Sequence, residues 1–166
     1  ELGIAAQKIY DFIWSEFCDW YIELVKQRLY GENEATKLSA QVTLCDVLKG
    51  AMQLLHPYMP FITEEIFRHL PSEYKSIMIS RWPEYNEKAY YPEEEHKMGK
   101  VMEAIKGIRN IRAEMNVVPS RKAKVIIVAG NEDVKAAMDE GRMYFERLAS
   151  ASEVVILTEK KGIPGD

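Results

Sequence analysis

The sequence predicts a mainly α-helical protein, with an antiparallel helical bundle followed by a small α/β unit of about three short strands. Apolar residues recur at helical spacing through residues 1–70, and prolines and glycines divide that stretch into separate helices. From about residue 120 onward, short β-branched runs alternate with a helical pattern. We expect the bundle to occupy residues 1–75 and the α/β unit, packed on it, to occupy residues 76–166.

The first predicted helix continues to about Tyr30, where Gly31 can end it in a left-handed conformation. Its apolar positions fall on two adjacent stripes, so we expect burial over a wide face. The residues expected in the core are Trp14, Phe17, Cys18, Trp20 and Tyr21. Ile22 and Glu23 lie in the narrower polar sector, where packing alone would not place an isoleucine.

The following helices form a hairpin and a corner. A helix predicted over residues 34–55 pairs antiparallel with the first one and ends before Pro57, because the residue before a proline disfavours helical geometry. Residues 56–60 form a rigid elbow, whose last proline suits the first turn of a third helix that reaches about Leu70. Ile77–Ile79 is expected to be a short strand.

The second half of the chain alternates helices and strands. Its predicted elements are a loop at 83–95, a helix at about 94–116, a breaker at 117–120, a strand at 124–128, a helix at about 132–149 and a strand at 153–157. With the strand at 77–79, this order predicts a β-α-β-α-β segment.

Composition and motifs exclude several classes of protein. The formal net charge of −4 has the wrong sign for nonspecific wrapping of nucleic acid, and no apolar run approaches the roughly 20 residues that span a bilayer. Cys18 and Cys45 lack CxxC spacing, and the N-terminus lacks a signal-peptide pattern. We expect a cytoplasmic, monomeric protein with reduced thiols and no membrane contact.

No sequence pattern assembles a catalytic or metal site. There is no glycine-rich phosphate loop, no His-Glu-x-x-His pair and no Gly-x-Ser-x-Gly elbow. The three histidines, His56, His69 and His96, are scattered. We therefore expect no catalytic residue, metal or cofactor in this chain.

Basic residues recur around the end of the fourth predicted helix. They are Lys106, Arg109 and Arg112 on the helix, and Arg121, Lys122 and Lys124 after the breaker. A single positive ridge could hold phosphates through charge and guanidinium contacts, but an ordinary solvated face explains the same spacing.

Four blocks stand out in order along the chain: Trp14–Glu23, Leu54–Glu65, Ser76–Pro83 and Ile108–Asn116. Together they resemble the C-terminal region of the bacterial-type valyl-tRNA synthetase family. The His-Pro-x-Met-Pro-Phe elbow is typical of the wider group of Val, Ile and Leu enzymes, whereas Glu-Phe-Cys-Asp-Trp-Tyr indicates the valine enzyme. The stretch Lys26–Tyr30 is similar to the isoleucine enzyme, which stays as an alternative.

This resemblance implies an anticodon-binding helical bundle, followed by a small α/β segment, in an enzyme that uses ATP with magnesium to esterify valine to tRNA-Val. The family's ATP-site motifs, His-Ile-Gly-His and Lys-Met-Ser-Lys-Ser, are absent here. Activation, transfer and editing would therefore reside in the remaining domains of the parent synthetase. The resemblance also implies that the first helix of the bundle and a C-terminal coiled-coil arm lie outside this sequence.

By position, the resemblance assigns anticodon contacts to Ile22 and Glu23. Valine anticodons end in adenine and cytosine, whose exocyclic amino groups can donate to a carboxylate, while an isoleucine can pack on an unstacked base. The candidate contacts to the tRNA backbone are Arg109, Arg112, Arg121 and Lys122. Two alternatives stay open: Glu23 is a surface acid and Ile22 packs on the missing helix, or the chain is a helical scaffold that docks protein without touching RNA.

Overall fold

The computed structural model describes residues 1–159 and divides the chain into two compact units, Glu1–Asn86 and Glu87–Asp166. This division falls later than the expected boundary after residue 75. Residues 76–81 belong with the first unit because side chains of its helices hold their backbone by hydrogen bonds.

The first unit begins with a long helical segment in three parts. α1 (Leu2–Asp11) and α2 (Glu23–Tyr30) are α-helices, and the π-helix Phe12–Ile22 joins them. Gly31 follows α2 with extended backbone (φ −77°), so the left-handed stop predicted there is wrong. The reason for glycine is steric instead, since a Cβ at this position would lie 2.8 Å from the carbonyl oxygen of Gln27.

The π-helix changes which aromatic side chains are buried. Phe17 and Trp20 are buried as expected, but Trp14 is 54% exposed, so its predicted place in the core is wrong. Hydrogen bonds to the carbonyl five residues earlier widen the helix, and a stripe drawn for 3.6 residues per turn then drifts off the core. Trp14 lies beside Tyr10, with ring centroids 6.2 Å apart. The two half-buried members of the expected core are Cys18 and Tyr21.

α3 (Glu34–Leu55) packs antiparallel to this segment, and the elbow leads into α4 (Pro60–Arg68). Asn33 caps α3 by accepting a hydrogen bond from a backbone N–H of its first turn. Near the elbow, the hydroxyl of Tyr58 donates to the carbonyl of Leu2 at 3.1 Å. The beginning of α1 therefore lies beside the elbow, and the predicted hairpin and corner are confirmed.

The predicted strand at Ile77–Ile79 is wrong, because these residues form a 3₁₀ turn. The Glu64 carboxylate accepts the hydroxyl of Ser76 and the N–H of Ile77, both at 3.0 Å. The Ser76 hydroxyl oxygen in turn accepts the N–H of Met78 at 3.2 Å. Local side chains therefore satisfy backbone groups that a strand would pair with a neighbour.

The core of the first unit lies where α3, α4 and this turn meet. Its buried cluster consists of Ala51, Met52, Phe67 and Ile77, with Ile13, Leu48, Leu55, Ile66 and Tyr74 packed against it. Phe67 is 2% exposed, whereas Phe61 on the same helix is 91% exposed. Phe67 is therefore a core residue, and Phe61 is almost fully exposed to solvent.

The second unit is a mixed α/β arrangement around a parallel pair of strands. Its elements are α5 (Pro92–Glu114), β1 (Ala123–Val128), α6 (Glu132–Glu140), α7 (Arg142–Leu148) and β2 (Ala151–Leu157). β1 and β2 pair in parallel with Val125 opposite Val154, and the helices α6 and α7 form the crossover. The described residues therefore confirm a mainly helical fold with a small α/β unit, and they contain two strands rather than about three.

The helix predicted over residues 132–149 is divided at Gly141. A Cβ there would lie 2.9 Å from Cγ2 of Val101 and 3.1 Å from its Cγ1, so a larger residue would require Val101 or the backbone to shift. Val101 is itself buried, together with Ile105 of α5 and Phe145 of α7. The close approach to α5 therefore favours glycine at the break.

Phe67→Ala should lower the free energy of unfolding of the first unit by about 3 to 5 kcal/mol, because it leaves a cavity in the core. Phe61→Ala should change it by less than about 0.5 kcal/mol. All three tryptophans, at 14, 20 and 82, belong to the first unit, so urea unfolding followed by tryptophan fluorescence measures this unit. Equal losses for the two variants would contradict the packing described.

Gly107→Ala and Gly141→Ala should have opposite effects on the second unit. Nothing lies within 4 Å of a Cβ built at Gly107, in the interior of α5, so alanine there should stabilise by about 0.5 to 1 kcal/mol. Alanine at Gly141 meets Val101 and should destabilise. Amide hydrogen exchange over residues 92–157 measures both effects, and protection that rises at both sites would contradict the close approach.

Candidate nucleic-acid interface

Ile22 and Glu23 stand at the junction between the π-helix and α2, and both side chains are half-buried. Oε1 of Glu23 forms an ion pair with Nζ of Lys26, one helical turn later. The packing of α2 against α3 holds the backbone of this turn. The site therefore presents an oriented carboxylate beside a partly exposed apolar side chain.

The ion pair leaves half of the Glu23 carboxylate available. Within residues 1–159, no hydrogen bond engages Oε2 of Glu23, and a carboxylate offers about four lone-pair positions in all. Lys26 also offsets the negative charge that would repel a phosphate backbone. The pair is chemically suited to accept a hydrogen bond from an amino group in an anionic ligand.

Two of the candidate backbone-binding cations are engaged inside the second unit. Nε of Arg109 donates to the carbonyl of Leu148 at 2.7 Å, at the C-terminal end of α7 where carbonyls attract cations. Nη2 of Arg112 donates to the carbonyls of Arg121 and Val118, at 2.5 and 3.3 Å. The helical spacing that suggested a ridge therefore also serves tertiary hydrogen bonds.

The other two cations are displayed. Arg121 and Lys122 are exposed, and within residues 1–159 their side chains have no hydrogen-bond or ion-pair partner. Lys124 follows them but pairs with Glu153 at 2.9 Å. The predicted ridge is thus reduced to two adjacent cations with uncompensated charge in the described part of the second unit.

A cavity at the elbow carries polar groups that the sequence did not single out. It has a volume of about 180 Å³, and His56, Met78 and Trp82 are among its lining residues. Nδ1 of His56 lies 2.7 Å from the hydroxyl of Thr63, and Nε2 lies 2.9 Å from Sδ of Met78. The sequence pointed to this cavity only indirectly, because most of its lining residues fall within two of the four blocks, Leu54–Glu65 and Ser76–Pro83.

The described residues contain neither a candidate metal site nor a helix that could span a membrane. Across residues 1–159, no group of three or more His, Cys, Asp or Glu side chains is placed to hold a metal ion. None of the described helices is long and apolar enough to cross a membrane.

Comparison with known proteins identifies the family. The family model described as the anticodon-binding domain of tRNA ligase matches residues 1–127. The chain belongs to this anticodon-binding domain family. The match extends over Ile22 and Glu23 in the first unit and over the four candidate cations of the second, and it ends within β1.

Relatives of this anticodon-binding domain are valine–tRNA ligases. That of Clostridium acetobutylicum is 57% identical over 164 residues, which cover 99% of this chain and 18% of that protein. That of Clostridium tetani is 55% identical over 164 residues, with the same 99% and 18% coverage. That of Bacillus cereus is 43% identical over 159 residues, covering 96% of this chain and 18% of the relative. The chain thus spans about a fifth of the length of the relatives it matches.

Proposed function

We propose that this domain reads the anticodon of tRNA-Val as part of a valine–tRNA ligase. The single observation that carries the proposal is the match to the anticodon-binding domain family over residues 1–127. Valine–tRNA ligases up to 57% identical support the choice of valine over isoleucine. Activation of valine with ATP and magnesium, and its transfer to tRNA, belong in this proposal to the rest of the polypeptide.

Glu23 is the proposed reader of the last two anticodon letters. Adenine and cytosine both present exocyclic amino donors, which guanine and uracil lack at the equivalent position. Oε2 of Glu23 is available to accept one of them, while Lys26 holds Oε1 and fixes the carboxylate. Ile22, half-buried beside it, supplies an apolar surface for the face of an unstacked base.

Contacts to the tRNA backbone complete the proposal. Arg121 and Lys122 are the favoured contacts because their charges are uncompensated among the described residues. Arg109 and Arg112 add positive potential nearby, although both donate to carbonyls of their own unit. Such contacts supply affinity and orientation, and base contacts supply the specificity.

Glu23→Gln should weaken discrimination at the last two anticodon letters by about 1 to 3 kcal/mol, since the amide brings a donor toward a base that also donates. The measurement is a binding titration of the chain with a tRNA-Val transcript and with transcripts changed at each of these letters. Glu16→Gln, an exposed acid on the same helical segment, is the matched control and should leave the ranking unchanged. An identical ranking with Glu23→Gln would remove Glu23 from the site.

A docking scaffold is the second candidate function, and exposed apolar side chains at the elbow favour it. They are Met59, Phe61, Met78, Ile79 and Trp82, which are between 50% and 91% exposed. α3 extends over about 33 Å at 1.5 Å per residue, so these side chains lie far along the hairpin from Glu23. Absence of binding to every anticodon variant would favour this candidate over anticodon reading.

A further inference from the structure

The end of α5 is shaped by a helix-terminating motif. The N–H of Val117 donates to the carbonyl of Arg112 at 2.8 Å, and the N–H of Asn116 donates to the carbonyl of Ala113 at 3.1 Å. This pair of bonds is the Schellman pattern, which requires a left-handed residue just after the helix. Asn116 has φ of 52°, a conformation that asparagine tolerates better than most residues. The chain therefore leaves α5 in a defined direction.

A second turn follows at once. The N–H of Arg121 donates to the carbonyl of Val118 at 2.9 Å and closes a β-turn with Pro119 at its second position, where proline is favoured. The hydroxyl of Ser150 donates to the carbonyl of Pro119 at 3.1 Å, and the carbonyl of Ser150 accepts the N–H of Ala123 at 3.2 Å. The turn is thus fastened at its tip and at its exit into β1.

Arg112 joins the two ends of this turn. Its Nη2 donates to the carbonyls of Val118 and Arg121, the first and last residues of the β-turn, while its own carbonyl takes part in the Schellman pattern. Donors held in the plane of a guanidinium can bridge two such carbonyls, whereas a lysine ammonium has no fixed fork. One side chain therefore fixes the backbone that carries Arg121 and Lys122.

We propose that residues 116–122 form a prebuilt phosphate-binding turn for RNA, in which Arg121 and Lys122 contact phosphodiesters and Arg112 is a positioning residue that holds them in place. The proposal rests on the proposed tRNA-binding function and assigns different roles to cations that the sequence had grouped in one positive ridge. Holding the turn rigid lowers the entropy lost when its cations are immobilised on a phosphate backbone.

Limited proteolysis tests the positioning role without RNA. Trypsin cuts after Arg121 and Lys122, and cleavage at these bonds requires the turn to open. Arg112→Lys keeps the charge but loses the bridging geometry, so cleavage there should accelerate about tenfold or more, as measured by mass spectrometry of the folded chain. Ser150→Ala removes a single bond to the turn and should accelerate it less. Unchanged cleavage in Arg112→Lys would overturn the positioning role.

Salt dependence of RNA binding tests the contacts. Binding is measured at several salt concentrations with a tRNA-Val transcript and with an unrelated RNA stem-loop. The double variant Arg121→Gln and Lys122→Gln should reduce the magnitude of the slope of log K against log salt by about 1 to 2. Each phosphate contact contributes about 0.7 to 0.9 to that magnitude. Arg147→Gln removes an exposed cation of the same unit outside the turn and should leave the slope unchanged. A slope that stays the same in the double variant would overturn the proposal.

Arg112→Lys separates positioning from direct contact. If Arg112 positions the turn, the lysine variant should bind both RNAs about 3- to 10-fold more weakly despite its unchanged charge. Binding equal to that of the unchanged chain would overturn the positioning role of Arg112.

The anticodon ranking distinguishes failure of this inference from failure of the proposed function. If the affinity ranking of the anticodon variants persists but the salt dependence of binding is unchanged in the Arg121 and Lys122 double variant, only the phosphate-binding turn is overturned. Equal affinity for all anticodon variants, with a slope that depends on these cations, would overturn anticodon reading and leave the turn as an RNA contact. Absence of binding to either RNA would overturn both.

Discussion

Burial of Phe17 and Trp20 sets the rotation of the first helical segment, and the partial exposure of Ile22, Glu23 and Lys26 depends on that rotation. Two large aromatic side chains contribute several kcal/mol when they leave water, far more than a surface ion pair contributes. The aromatic residues therefore determine which face of the helix is buried, and the Glu23–Lys26 ion pair lies on the partly exposed face. The dense aromatic block therefore contributes to function indirectly, by orienting the helix that carries Glu23.

Side chains that bind backbone groups determine the shape of the non-helical segments in both units. In the first unit, Glu64 holds the turn at Ile77, and Gln53 donates to the Ser80 hydroxyl and the Arg81 carbonyl at 2.8 Å each. In the second unit, Arg112 does the same for the turn after α5. A buried or half-buried backbone group needs a partner, and these segments have no strand to supply one. Polar residues that looked like surface charge in the sequence are therefore parts of the framework.

The fold class and most element positions could be predicted because they follow from local rules. Pro60 and Asn33 mark helix starts through missing or capped N–H groups, and these rules need no knowledge of distant residues. Most of the errors depended on a distant contact or on helix type, whereas the error at Gly31 concerned a local contact with Gln27. The π-helix moved Trp14 off the core, Glu64 binds backbone groups of a turn where a strand was expected, and Val101 lies close enough to Gly141 to favour glycine where the helix is divided.

The sequence by itself determined the family and the residues worth testing, because ordered blocks of unusual composition can be recognised without any knowledge of tertiary contacts. Only the tertiary structure decided how those residues are used. The sequence grouped Arg109, Arg112, Arg121 and Lys122 as candidate backbone contacts, and hydrogen bonds within the second unit divide them into two that support the backbone and two whose side chains have no partner among the described residues. A guanidinium can bind a carbonyl or a phosphate with the same donors, so its role depends on which acceptor the fold brings within reach.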